Sequence, residues 1–398
     1  MKNVLGVMLS LVRNRLFGDD VDVDSVREFF GSEKLSRLYE LSKFHDLSHL
    51  IGACIDPFML TGNEEIIAKL KKAYFAAIYR YRGIEHELRN IKALFNGEGI
   101  AHIPLKGSII RGYYPEPWMR TSCDVDILVK EEEVDRAADL LVEKFGYTKG
   151  EKAFHDISLY APGGVHIELH FTLIGDYSYP RINDLLSDVW ENAIREGESS
   201  TYYMSNESFY FYHIAHMMKH FLSGGCGIRS FIDLYMLDTR LPLDRDKVDG
   251  LLCDAGLLEY ARKSSGMARI WLKDEPSDEL YDTYEKYIIN GGVYGTKESK
   301  IIIQRERKGG KFRYLLRRIF LPYRSLKELF PILKKHKWLT PLFEVVRWFK
   351  LIFGGKIKSS YKELRTNAAV TEKEAASAAF MLKGLGLDGG GVNSEKNG

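Results

Sequence analysis

The chain has 398 residues, 45% of them hydrophobic and 28% charged, with a net charge of +2. That composition excludes a disordered, collagenous or disulfide-scaffold protein and leaves room for two or three domains with at least one sizeable core. The charge is unevenly spread: from Arg305 to Lys358 there are 16 Lys or Arg against Glu306, Glu328 and Glu344, so the remainder is acidic overall.

The N-terminal stretch MKNVLGVMLSLVRNR is interrupted by Gly6 and Ser10 and has no small-residue cleavage site. An amphipathic helix is expected there rather than a signal peptide. No run of 18 apolar residues occurs, so no membrane span is expected. Cys54, Cys123, Cys226 and Cys253 form no CxxC pair. Reduced, mostly buried thiols in a cytoplasmic protein follow.

A helical region is predicted for residues 1–98. Leu35, Leu38, Leu41 and Phe44 recur every three residues on an expected common face, with Ser32 as N-cap. One or two helices fill Glu64 to Asn96. The pattern then changes, and residues 99–182 read as a small mixed-sheet core. Ile100 to Gly107 is a short strand whose Pro104 favours a sheet edge, because proline cannot donate to a ladder. A brief helix from Ser108 to Tyr114 and the strand Asp124 to Val129 come next. The helix EEEVDRAADLLVEKFG ends at Gly146. HDISLYA and VHIELHFTL flank Pro162-Gly163-Gly164 as a β-hairpin. From Asn183 the chain reads as helical again, with a helical domain over 183–300, a basic aromatic helical region over 301–366 and a disordered tail over 367–398. The fold class is therefore α+β, a small sheet core flanked by N-terminal and C-terminal helical regions.

The residues that carry chemistry lie in the middle. Asp124 and Asp126 are two apart in a strand and so project to one face, while Val125 and Ile127 face the other. Paired carboxylates repel, and a divalent cation between them relieves the repulsion. Glu168 supplies a third acid from a later strand. Gly107-Ser108, at a helix start, offers backbone N–H groups and a hydroxyl to a phosphate, with Lys106 or Arg111 adding positive charge.

The order strand, Gly-Ser, short helix, Asp-hydrophobic-Asp resembles the signature of the DNA polymerase beta superfamily. LKGSIIRGYYPEPWMRTSCDVDILV more closely resembles the bacterial family of uncharacterised nucleotidyltransferases. KKAYFAAIYRYRGIEHELRNIKALFNGEGIAHIPLKG and FYHIAHMMKHFLSGGCGIRSFIDLYML extend the likeness over about residues 1 to 350. The connection from Ser108 to Asp124 is longer than many members use, and the third acid is Glu rather than Asp. The resemblance implies Mg2+ held by Asp124, Asp126 and Glu168; a nucleoside triphosphate would meet Lys106, Gly107 and Ser108, while Arg120, four residues before Asp124, is open to the triphosphate or to the surface. It further implies transfer of a nucleoside monophosphate to a hydroxyl-bearing acceptor. The alternative is a catalytically silent nucleotide-binding or scaffold protein in surface-polysaccharide biosynthesis.

Other residues carry weaker signals. His166, Glu168 and His170 share a strand face, as a transition-metal site would, although one extended strand spreads its ligands too far for simple chelation. His216 and His220 lie one helical turn apart near His213, without the glutamate of an HExxH motif. Packing in a helical core or lining of the cleft are both open to them. Arg229 and Asp233, an i,i+4 pair, are expected to pair with each other. The basic aromatic region is open to three readings: a helix packed on the protein, peripheral contact with a membrane, or nucleic-acid binding.

Overall fold

The computed structural model describes residues 2–153, 155–174, 179–307, 309–353 and 365–388. Four helices open the chain: α1 (Lys2–Phe17), α2 (Val23–Phe30), α3 (Lys34–Phe44) and α4 (Ser48–Gly52). The first was expected to be amphipathic but is covered nearly all round: Leu9 and Leu11 are buried as well as Val4, Leu5, Met8, Val12 and Leu16, and from Val4 to Phe17 only Gly6 is exposed. The expected face of α3 holds only in part. Leu35 and Leu38 are buried, but Phe44 is 44% exposed. A strict three-residue spacing falls behind the 3.6-residue turn, and over nine residues the lag reaches about half a revolution. Nor does Ser32 cap this helix. The cap position is held by Glu33, while the Ser32 hydroxyl, one residue earlier, donates to the Phe29 carbonyl at 2.7 Å and accepts from the Lys34 N–H at 3.3 Å.

One helix, α5 (Glu64–Gly97), spans 34 residues. The Asn63 side chain caps it by accepting from the Ile66 N–H at 3.2 Å, with Glu64 and Glu65 in its first turn. Ile66, Leu70 and Ala77 join the large helical core, whereas Ile84, Ile91 and Phe95 join a second core under the sheet.

That sheet has five strands: β1 (His102–Pro104), β2 (Asp124–Val129), β3 (Thr148–Lys152), β4 (Asp156–Tyr160) and β5 (His166–His170). Their order is β1-β2-β5-β4-β3, with β2 and β5 parallel and the other neighbours antiparallel. Pro104 sits on the edge, as its missing N–H requires, and the short helix α6 (Gly107–Ile110) follows it. Val125, Ile127, Ile167 and Leu169 are fully buried against Val134, Ala137 and Leu141 of α7 (Val134–Phe145). Gly146 ends that helix in the left-handed conformation, at φ +68°. The opposite face of β2 and β5 carries Asp126, Glu168 and His170.

After α8 (Pro180–Leu186) the chain is not purely helical. A two-stranded ribbon, β6 (Ile194–Arg195) and β7 (Tyr202–Tyr203), interrupts it beside β1, where Thr201 bridges His102. Then come α9 (Asn206–Leu222), α10 (Ile228–Arg240), α11 (Arg245–Ala255), α12 (Leu258–Lys273) and α13 (Glu279–Gly291). The basic region forms α14 (Lys297–Arg307), α15 (Lys311–Ile319), α16 (Tyr323–Leu329) and α17 (Thr340–Phe353). Among the described residues, no helix is long and apolar enough to cross a membrane. All four cysteines are free. Cys54 and Cys226 are buried, but Cys123 and Cys253 are exposed.

The expected disordered tail is corrected over its described part. Residues Glu372–Gly384 form a helix with a reciprocal capping box between Thr371 and Glu374. Met381, Leu382, Leu385 and Leu387 enter the large core. The glycine-rich composition concealed an Ala-rich segment with a sharp start and an apolar end. Residues 389–398 of that tail lie outside the described residues. Replacing Leu382 by Ala is expected to cost about 2–5 kcal/mol, the range for emptying a buried leucine site. Urea unfolding followed by circular dichroism measures this, and an unchanged midpoint would show that the helix is not docked.

Candidate active site

The parallel pairing of β2 with β5 sets Asp124 opposite His166 and Asp126 opposite Glu168. Strand alternation then turns Asp126, Glu168 and His170 to the same side, with ligand atoms all within 4.8 Å of one another. Asp124 lies on this face but outside that tightest group, a place taken instead by His170. His166 sits toward the rim. It stacks on Tyr160 with ring centroids 4.8 Å apart, and its Nδ1 is 3.8 Å from Glu168.

Two cations contend with the acids. Lys106 Nζ donates to Asp126 Oδ1 at 2.7 Å, and His170 Nε2 lies 2.8 Å from the same oxygen and 3.2 Å from Glu168 Oε2. Ionised carboxylates only accept, so His170 holds its proton on Nε2. Burial opposes the charge on Asp126, but Lys106 and His170 outweigh it and its pKa is lowered. Burial likewise disfavours the Lys106 ammonium and the His170 imidazolium. The charge of Asp126 reverses this for Lys106, and hydrogen bonds to Asp126 and Glu168 reverse it for His170, so both pKa values are raised. Glu168 is held low chiefly by its hydrogen bond from His170. Asp124 is different. Burial and then the charge of Asp126 raise its pKa, and among the described residues no side chain hydrogen-bonds its carboxylate.

This donor set fits a divalent cation. An unpartnered carboxylate beside two ionised ones is an excess of negative charge that a small hard ion would neutralise. A site built on the His170 nitrogen is disfavoured, because both carboxylates already use its proton. His170 orients the acids rather than offering a lone pair.

Lys106 reaches Asp126 from a strained backbone. Its φ of +44° is a conformation that L-residues with side chains rarely adopt, at a cost of about 1–3 kcal/mol. The strain closes a tight turn: Leu105 N–H donates to the Asp126 carbonyl, Ser108 N–H to Leu105 and Ile109 N–H to Lys106. Part of the expected cradle is thus committed, since the amides of Ser108 and Ile109 are bonded within the turn, whereas that of Gly107 donates to no backbone carbonyl among the described residues. The Ser108 hydroxyl is the group left over, buried with no partner among the described residues.

Gly107 is required by close approach. A Cβ there would lie 2.4 Å from Arg120 Nη1. Arg120 is buried and gives its Nε and Nη2 to Asp233, which also accepts from Tyr114 Oη at 2.7 Å. Arg111 fastens the turn from beneath, donating to the Gly107 carbonyl at 2.7 Å and to Ser122 Oγ at 2.8 Å. The expected Arg229–Asp233 pair is thus corrected: Asp233 is taken by Arg120, and Arg229 turns to Asp46 and the Thr121 carbonyl. Helical spacing makes such a pair available, but a buried carboxylate goes to the donor set that satisfies it best.

Lys106, Arg120, Asp124, Asp126, Glu168 and His170 line a cavity of about 330 Å³ between the sheet face and helices α9 and α10. From the helical side come Tyr212, His213, His216, Lys219, His220 and Arg229. The HIAHMMKH histidines therefore face the acids rather than being sealed in the helical core. His216 and His220 contact each other through their Nε2 atoms at 3.1 Å. Burial lowers both pKa values, that of His220 to about 4, so the pair is neutral near pH 7. Arg229 also lines the cavity, a cation that helical spacing had assigned to Asp233.

A family model described as uncharacterised nucleotidyltransferase matches residues 31–273. The chain belongs to that family. Neither the curated proteins nor the solved structures contain a significant match. As a nucleotidyltransferase it is an enzyme, and its matched region contains every residue of the acidic cluster and the helices facing it.

Removing the Asp233 carboxylate with Asp233→Ala strands a buried guanidinium, and about 3–5 kcal/mol of stability should be lost. Burial raises the Asp233 pKa, but Arg120 overrides this and holds it below its unfolded value. Its contribution is therefore complete above the unfolded carboxylate pKa and fades as pH falls through the lower folded one. Chemical denaturation of both proteins should show a gap that is constant above about pH 5 and narrows in stronger acid. A gap that widens on acidification would exclude this pairing.

Proposed function

We propose that this nucleotidyltransferase moves a nucleoside monophosphate from a nucleoside triphosphate to a hydroxyl on its acceptor, with Mg2+ as cofactor, in the manner of the polymerase beta superfamily. The observation that carries the reading is the register of β2 against β5, which sets Asp126 beside Glu168 with Asp124 on the same face. Asp124, Asp126 and Glu168 are the proposed metal ligands. Bound there, Mg2+ would make the acceptor hydroxyl more acidic and offset charge on the departing pyrophosphate.

The chain's own residues supply the rest. Lys106, bonded to Asp126 at the cavity wall, is proposed to exchange that carboxylate for a phosphate oxygen of the triphosphate. Arg229 lines the same cavity, and its guanidinium is proposed to meet phosphate oxygens there; Ser108, expected to do so, lies outside the residues that line it. Arg120, a candidate contact for the triphosphate, is assigned a positioning role under Gly107, because its charge is committed to Asp233. The cavity has the dimensions of a small-molecule site, and both its walls are polar where they face the acids.

Radiolabelled triphosphates incubated with Mg2+ and fractions containing hydroxyl-bearing acceptors should release pyrophosphate and label the acceptor. Asp126→Asn should lower turnover by about 100-fold or more, and a chelator should abolish it until Mg2+ is restored. Tight nucleotide binding with no pyrophosphate released for any acceptor would overturn the reading.

A further inference from the structure

We propose that the segment Lys311–Phe353 docks on the surface of an anionic lipid bilayer. Its helices carry apolar residues on two sides, and only one is packed, largely within the segment itself. In α15, Tyr314 is fully buried, while Phe312 is 70% exposed and Leu316, one turn on and on the same face, is exposed too. Phe320, in extended backbone just past the helix end, is 63% exposed. In α17, Phe343 and Val346 pack on the small cluster of Leu326, Phe330 and Leu333. Leu342 and Val345, one turn apart, are exposed. Trp338, in the turn leading into α17, is 77% exposed.

The two helices are fastened together. Arg347 of α17 donates to the Ile319 carbonyl at 2.6 Å, and Glu344 accepts from the Leu321 N–H at 2.6 Å. The exposed apolar side chains therefore belong to one assembly rather than to independent strands of loop. Solvent-facing apolar clusters of this extent mark interaction surfaces.

Charge chooses the partner. Between Lys311 and Lys350 there are eleven Lys or Arg against Glu328 and Glu344, and Glu344 is bound by Arg347. Lys311, Arg313, Lys335 and Lys337 are exposed alongside the apolar positions. A second copy of the chain would bring two strongly positive surfaces together, which repel. A nucleic acid would match the charge but leave Leu316, Leu342 and Val345 in water. A bilayer of anionic lipids accepts apolar side chains below its headgroups and cations among them.

Co-sedimentation of the full chain with vesicles tests this, using phosphatidylcholine alone and phosphatidylcholine mixed with phosphatidylglycerol. The chain should pellet with the mixed vesicles and release as salt is raised. Phe312→Ser with Trp338→Ser, and separately Lys335→Glu with Lys337→Glu, should each weaken binding about tenfold or more. Circular dichroism and thermal melting establish that both variants stay folded. The proposal fails if the chain ignores anionic vesicles, if neutral vesicles bind it equally, or if both folded variants bind like the parent. It fails in favour of nucleic acid if an RNA oligonucleotide displaces the vesicles and the Phe312 and Trp338 variant binds that RNA undiminished.

Discussion

One pairing register organises the molecule: β2 runs parallel to β5 with Asp126 opposite Glu168. A slip of a single residue would send one carboxylate into the apolar layer under the sheet, because side chains alternate faces with a period of two. Val125, Ile127, Ile167 and Leu169 forbid the slip. They are fully buried against α7, so the same apolar residues that stabilise the sheet also hold the acids together on its other side. Packing on one face thus enforces electrostatic repulsion on the other. Lys106 and His170 hold the repulsion in check.

The helical block is more than a cover for that face. Asp233 of α10 reaches across to Arg120, Arg120 closes over Gly107, and Gly107 begins the turn that aims Lys106 at Asp126. Position 107 has room for hydrogen only. The unusual backbone at Lys106 is held from both directions, by its ammonium on Asp126 and by the bonded amides of the following turn. A residue in a costly conformation, surrounded by contacts that leave it no alternative, is characteristic of a site organised before its ligand arrives.

Much of this was legible in sequence because it depends on local rules. Alternation in DVDILV and VHIELHFTL, the edge preference of Pro104 and the left-handed Gly146 are consequences of backbone geometry over a few residues. What was not legible depends on partners far along the chain. Arg229 finds Asp46 across 183 residues and Arg120 finds Asp233 across 113, and no spacing in either neighbourhood announces these choices. The exposure of Phe44 was misjudged because a three-residue repeat imitates a helical face only briefly. The helix Glu372–Gly384 was hidden by the glycines around it. The facing of His216 and His220 into the cavity needed the tertiary arrangement, since a helix apolar and aromatic nearly all round gives no sign of which side meets a cleft.

The helix α5 passes through both hydrophobic layers, anchoring its first half among the N-terminal helices and its second half beneath the sheet. At 34 residues it is about 50 Å long, with neither proline nor a cap to break it. It acts as an axle through the two halves of the enzyme. Rotation of one core against the other about this axis would shear side chains packed at both ends, so the helix couples the packing of the sheet to that of the N-terminal helices.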